Sequence, residues 1–170
     1  MWYKGKMVLS VASYNFLRWH KNARVVTAFL LDFILCYLLT DKAVQFAVER
    51  DTTMQIFEAF IWTFGDSNAI LLVSLLLLIL FADMPFITTA TPFYLMRTTR
   101  RVWVVGQMVY VALATMLFMV FTLFSTVVLT MQNAFTGNRW SRTAAALAYS
   151  GSGKERNLPS AVKAIEMSRP

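Results

Sequence analysis

The sequence predicts an all-α, polytopic membrane protein with three transmembrane helices and shorter interfacial helices. Three observations predict it. Of 170 residues, 58% are hydrophobic and only 15% are charged; soluble domains run near 45–50% and 25%. The apolar residues gather into three runs, Val25–Thr40, Ser67–Ala82 and the uncharged stretch from Val102 to the residue before Arg139. With one cysteine, Cys36, and one histidine, His20, neither an intramolecular disulfide nor a cysteine-cluster or His-pair metal site can form. No cofactor is expected.

The organisation that follows is a basic amino-terminal interfacial helix over 1–24, a membrane domain over 25–132 and a polar tail over 133–170. Spans are expected near 23–43, 67–87 and 102–132. A crossing helix needs about 20 apolar residues. The third run reaches that length alone, with its heart at Met108–Met131. The first two are 16 residues each, about 24 Å of helix, and span only with their flanks. Two buried helices of a soluble bundle are the other reading, which LLVSLLLLIL opposes because it offers no polar face to water.

Residues 7–20, MVLSVASYNFLRWH, place Met7, Val8, Val11, Tyr14 and Leu17 or Arg18 at helical spacing. This predicts an amphipathic helix in the membrane interface with Tyr14 and Trp19 at headgroup depth; the first turn of one long membrane helix fits equally. Met54–Phe64 is rich in aromatic residues, with Glu58 among them, and reads as a helix resting on the outer surface. A substrate role for Glu58 or Trp62 is a further reading. Between the second and third spans, Pro85 and Pro92 punctuate the chain. Thr89 or Thr91 then caps a short helix, and Arg97, Arg100 and Arg101 fall on one helix face. That cluster is either an ordinary positive-inside stop or a docking knob for a partner protein. In the third span, Ala112, Ala114, Thr115, Thr122, Ser125 and Thr126 allow close helix packing or line a polar path. Ser141–Tyr149 and Pro159–Met167 are candidate short helices.

Net charge is +7, but the basic residues flank the apolar runs and nucleic acid is not an expected partner. Residues 1–24 hold five Lys and Arg and no acid, 41–66 hold two against five acids, and 83–101 hold three. Cytoplasmic loops collect Lys and Arg, so these segments read inside, outside, inside. The amino terminus is then cytoplasmic and the tail lies outside, against its own six basic residues. Asn15, Arg18, Lys21 and Asn22 interrupt the approach to the first run, and no small-residue cleavage site follows it, which excludes a cleavable signal.

Catalytic patterns are missing, so no enzyme is predicted. The tetrapeptide Gly151–Lys154 (GSGK) has Ala148 and Glu155 where a phosphate loop needs Gly and Ser or Thr. No nucleophile elbow, HExxH or CxxC is present. Asp32 is the one ionisable residue that must sit deep in a span, about 12 Å along the helix from Arg24. Such a residue is a substrate or coupling site facing the bundle, or a buried carboxyl bonded to a neighbouring hydroxyl.

Asp83–Met84–Pro85–Phe86, followed by Arg97, Arg100, Arg101, Trp103, Gly106 and Gln107, resembles the permease subunits of type-two ATP-binding-cassette transporters, especially uncharacterised members from Gram-positive bacteria. The resemblance covers about residues 7–140. It implies the amino-terminal half of a six-helix permease in the bacterial inner membrane, with the tail leading toward a fourth helix in a longer reading frame. A stop codon after Pro170 in the gene would refute that. It also implies that Val8–Trp19 is an interfacial connecting helix. Residues Thr91–Arg101 would be a coupling element touching a separate ATPase subunit, and Asp32 would face the translocation path. Membrane lipid, the ATPase and further subunits, as a homo- or hetero-oligomer, are the implied partners. A non-transporting membrane assembly or interaction protein is the alternative.

Overall fold

The computed structural model describes residues 2–19, 22–49, 51–82, 84, 99–137 and 140–144. Arg97, the two prolines near it, the proposed cap at Thr89 or Thr91, the GSGK tetrapeptide and the helix expected over Pro159–Met167 lie outside them. Among the described residues five helices carry the fold: α1 Trp2–Leu17, α2 Ala23–Glu49, α3 Glu58–Gly65, α4 Ser67–Phe81 and α5 Arg100–Thr130, which a single 3-10 turn extends to Asn133. Two-residue strands, β1 Met54–Gln55 and β2 Ala134–Phe135, pair in parallel. Among the described residues two helices are long and apolar enough to cross a membrane, α2 and α5 with its 3-10 turn. The bent pair α3–α4 makes a third candidate if it is one span.

α2 has 27 residues and α5 has 31, about 40 Å and 46 Å, both longer than the hydrocarbon core of about 30 Å. α4 has 15, about 22 Å. Its helix stops at Phe81 in a turn closed by Ala82 and Met84; residues 85–87 of the span expected over 67–87 lie outside the described residues. α3 meets α4 at 87° across Asp66. Asp66 accepts the Ala69 N–H at 3.3 Å, which caps the start of α4. Where a helix was expected over Met54–Phe64, α3 begins only at Glu58, because Met54 and Gln55 are drawn into the strand pair. α2 ends in a Schellman turn: Asp51 takes the left-handed conformation (φ 49°), and the Asp51 and Thr52 N–H groups donate to Val48 and Ala47 carbonyls.

The distribution of side chains along the helices is inverted relative to a soluble bundle. α2 buries Val25, Ala28, Asp32, Cys36, Thr40, Ala43 and Ala47 at every third or fourth position. It exposes Leu30, Leu31, Phe33, Ile34, Tyr37 and Leu38. α5 buries Ala114, Phe118, Thr122, Ser125, Thr126 and Thr130 and exposes Met108, Met116, Val120, Phe124 and Val128. On α4, Leu71 and Leu78 are the most exposed. In water this arrangement forfeits the hydrophobic term; in lipid it costs nothing, and small or polar residues inside let helices approach.

The chain divides into two compact units, Met1–Phe29 with Leu76–Met119, and Leu30–Leu75 with Val120–Pro170. In the first, α1 packs on the beginning of α5. A methyl group at Gly106 would sit 2.8 Å from Cβ of Val11, so only glycine admits this approach. Asn15 Nδ2 donates to Gln107 Oε1 at 2.9 Å, both residues buried. Trp19 Nε1 donates to Tyr110 OH at 2.8 Å, and Phe16 packs its ring against both Trp19 and Tyr110 at 5.0 Å. α1 ends at Leu17 and α2 begins at Ala23, so the two are separate helices. The side of α1 packed on α5 is not the apolar face read from sequence, which in that reading points to the membrane interface. Ala12 and Asn15 are buried, while Tyr14 and Leu17 are exposed. The polar Asn15–Gln107 pair and the notch at Gly106 decide the face, and hydrophobic periodicity is blind to both.

The second unit is closed at one end by a polar staple. Glu58 is fully buried. Its Oε1 accepts the Ser141 N–H and its Oε2 the Ser141 hydroxyl, both at 2.6 Å; Oε2 also accepts the Gln55 N–H at 3.3 Å. The Ser141 Oγ in turn accepts the Ala144 N–H at 3.0 Å, capping a helical turn over 142–144 that begins the helix expected at Ser141–Tyr149; the rest of it lies outside the described residues. Thr143 donates to the Thr53 carbonyl at 3.1 Å and shares a 2.9 Å bond with the Thr52 hydroxyl. β1 and β2 pair beside it, Met54 opposite Ala134. The chain leaving α5 thus comes to rest beside the acid-rich segment that follows α2, so the two lie at the same end of this unit.

Candidate functional site

Within the second unit, α2 and α5 run in the same direction. Asp32 meets Thr122 at one level, and the segments after both helices pair as β1 and β2 at the other end. Residues 32, 36 and 40 on α2 and 122, 126 and 130 on α5 recur every four positions, which keeps each set on one helix face.

Asp32 lies at the head of this seam. It is fully buried, and its Oδ2 accepts the Thr122 hydroxyl at 3.0 Å. Its Oδ1 has no partner, nor do the buried hydroxyls of Thr40 and Ser125 or the indole N–H of Trp62. Thr126 and Thr130 turn their hydroxyl hydrogens onto the backbone of their own helix, at Leu123 and Thr126 carbonyls 2.9 Å away, which leaves their oxygen lone pairs free to accept. A buried polar atom without a partner costs about 1–3 kcal/mol. Four such atoms within one small unit mark a polar interior rather than a packing accident. In the other unit the buried polar side chains Asn15 and Gln107 satisfy each other.

Sequence reasoning singled out Asp32, and the structure places it inside, bonded to a hydroxyl. It also named Thr122, Ser125 and Thr126 as packing or path residues, and all three are buried. Thr40 and Thr130 escaped it, although the four-residue spacing from Asp32 to Thr40 and from Thr122 to Thr130 was a readable signal. Glu58 is taken up by Ser141 and Gln55, which assigns it the closing staple rather than a substrate. Trp62 is buried, with the free indole N–H just described.

Arg100 and Arg101 open α5 and are exposed; Arg97 is outside the described residues. Cations at a helix amino terminus oppose the macrodipole by about 0.3–1 kcal/mol each, so these two arginines do not serve helix stability. The structure does not bring them to Asp32: they belong to the first unit and Asp32 to the second. Arg100 and Arg101 offer charge for a contact, and the seam at Asp32 offers oxygen ligands in an apolar surround. No protein-family model, curated protein or solved structure matches the chain.

Proposed function

We propose that the chain is an integral membrane subunit of a transporter, a permease subunit of the ATP-binding-cassette type or a piece of one, in the bacterial inner membrane with its amino terminus in the cytoplasm. The observation that carries this reading is Asp32, fully buried midway along an apolar helix with one carboxyl oxygen unpartnered. An acidic residue at the centre of a membrane helix costs about 2.5–3.5 kcal/mol on insertion scales, and Ala, Ser or Leu would fill the position more cheaply. Asp32 lies on the translocation path in this reading, and Arg97, Arg100 and Arg101 dock a separate ATPase. The resemblance around Asp83–Gln107 supports the ATPase, as do exposed arginines where the helix itself disfavours them. ATP hydrolysis in the partner then rocks the helices between inward-open and outward-open arrangements.

The test is affinity capture of an ATPase subunit encoded beside this chain. Arg100→Glu should abolish capture while the protein still inserts; the substitution favours the start of α5 electrostatically, so loss of capture would not come from a melted helix. Failure of the unaltered protein to retain any ATPase would leave the non-transporting membrane protein as the reading.

A further inference from the structure

The buried hydroxyls of α2 and α5 lie on one side of Asp32 only. Along α2 the buried stripe is apolar before it, at Val25 and Ala28, and carries Thr40 two turns beyond it. Along α5 the stripe is apolar before Thr122, at Ala114 and Phe118, and hydroxyl-bearing from Thr122 to Thr130. Eight residues of either helix cover about 12 Å. Beyond them stands the Thr52–Thr143 hydroxyl pair, with Thr52 Oγ1 at 3.4 Å from the Ala47 carbonyl at the end of α2. A buried ladder of hydroxyls therefore leads from the end closed by Ser141 and Glu58 to a single carboxyl, and stops there.

We propose that this ladder is a proton entry path and that Asp32 is the proton-binding site at its blind end. This deepens the reading of Asp32 as a path residue and rests on it, naming the ion. The charge on Asp32 needs a cation, and every lysine and arginine whose side chain is described is exposed. The groups facing the site are neutral hydroxyls on α5 and the thiol of Cys36 on α2, while α4 turns Ala69 and Val73 inward. On α3 the carboxylate of Glu58 is held by Ser141 and Gln55. A proton needs no cavity, only acceptors in sequence, and the unpartnered oxygens of Thr40, Ser125 and Asp32 are acceptors. Positions four residues apart stand about 6 Å apart along a helix, a gap that one bridging water closes. In each transfer an oxygen lone pair takes a proton from the hydronium side and the same oxygen releases its own proton onward. The last transfer forms the O–H bond on Asp32 Oδ1, turning carboxylate into neutral acid and leaving water behind.

The purified protein in lipid nanodiscs tests this by infrared spectroscopy of the protonated-carboxyl C=O stretch. At neutral pH that band should be present and should vanish in Asp32→Asn, which keeps an acceptor for Thr122. On transfer to heavy water the band should shift at a rate that Thr40→Val with Ser125→Ala slows at least tenfold, with the band itself retained. Ser74→Ala, on the exposed face of α4, should leave the rate unchanged. No Asp32-dependent band, or equal exchange in the double variant and the unaltered protein, overturns the proposal. Slowed exchange in a protein that captures no ATPase supports the proton path and removes the permease reading alone.

Discussion

Single atoms decide the two helix contacts that matter most. At Gly106 the obstacle is Cβ of Val11, an atom tied to the α1 backbone that cannot swing aside. Gly106→Ala should therefore lower the melting temperature in detergent, by an overpacking cost of about 1–3 kcal/mol less the gain of about 1 kcal/mol in helix propensity. Gly5→Ala has open space around its Cβ and should show only the gain; equal behaviour of the two variants would refute the close contact. At Asp32 the same logic separates two hydroxyls three residues apart. Thr122→Val removes the only donor that Asp32 is seen to accept from and should cost about 1–3 kcal/mol. Ser125→Ala removes a hydroxyl that already lacks a partner and should be neutral or stabilising in the same chemical-denaturation measurement.

At the level of whole elements, the returning segment after α5 depends on one carboxylate. Glu58→Gln replaces one of the two acceptor oxygens with an NH2 group, so the Ser141 N–H and hydroxyl can no longer both be accepted, and hydrogen bonds to charged groups contribute about 1.5–3 kcal/mol. Hydrogen–deuterium exchange should rise across residues 134–144 while α2 and α5 stay protected; unchanged exchange there would show that β2 and Thr143 hold the segment alone. The helices themselves were legible in the sequence, because long apolar runs have few alternatives in lipid. The bend at Asp66 and the strand pair were not. A strand of two residues has no periodicity, and its partner stands 80 positions away in the register Met54–Ala134. The side of α1 that packs on α5 was not legible for a related reason. Its burial depends on where Gly106 and Gln107 fall, which no local pattern in residues 7–20 encodes. Asp32 stood out because one charge in an apolar run is conspicuous, whereas the hydroxyls that serve it look like ordinary packing residues until two helices are laid side by side.

For the whole molecule, the inverted distribution of polar and apolar side chains carries the membrane assignment, and the strand pair carries a sidedness constraint that charge counting left in conflict. Residues 54–55 and 134–135 are neighbours, so Thr53→Cys and Thr136→Cys, both at exposed positions, should react with a membrane-impermeant thiol reagent from the same face of intact cells. Labelling from opposite faces would refute the pairing. The buried Cys36 should stay unlabelled in either background. The pairing of Met54 with Ala134 also imposes a timetable on biogenesis. A ribosome adding about 5–20 residues per second needs roughly 4–16 seconds to travel from one strand to the other. For nearly all of that interval Glu58 has been made but Ser141 has not, and the newborn acidic loop must wait, unlatched, for α5 and the segment after it to arrive.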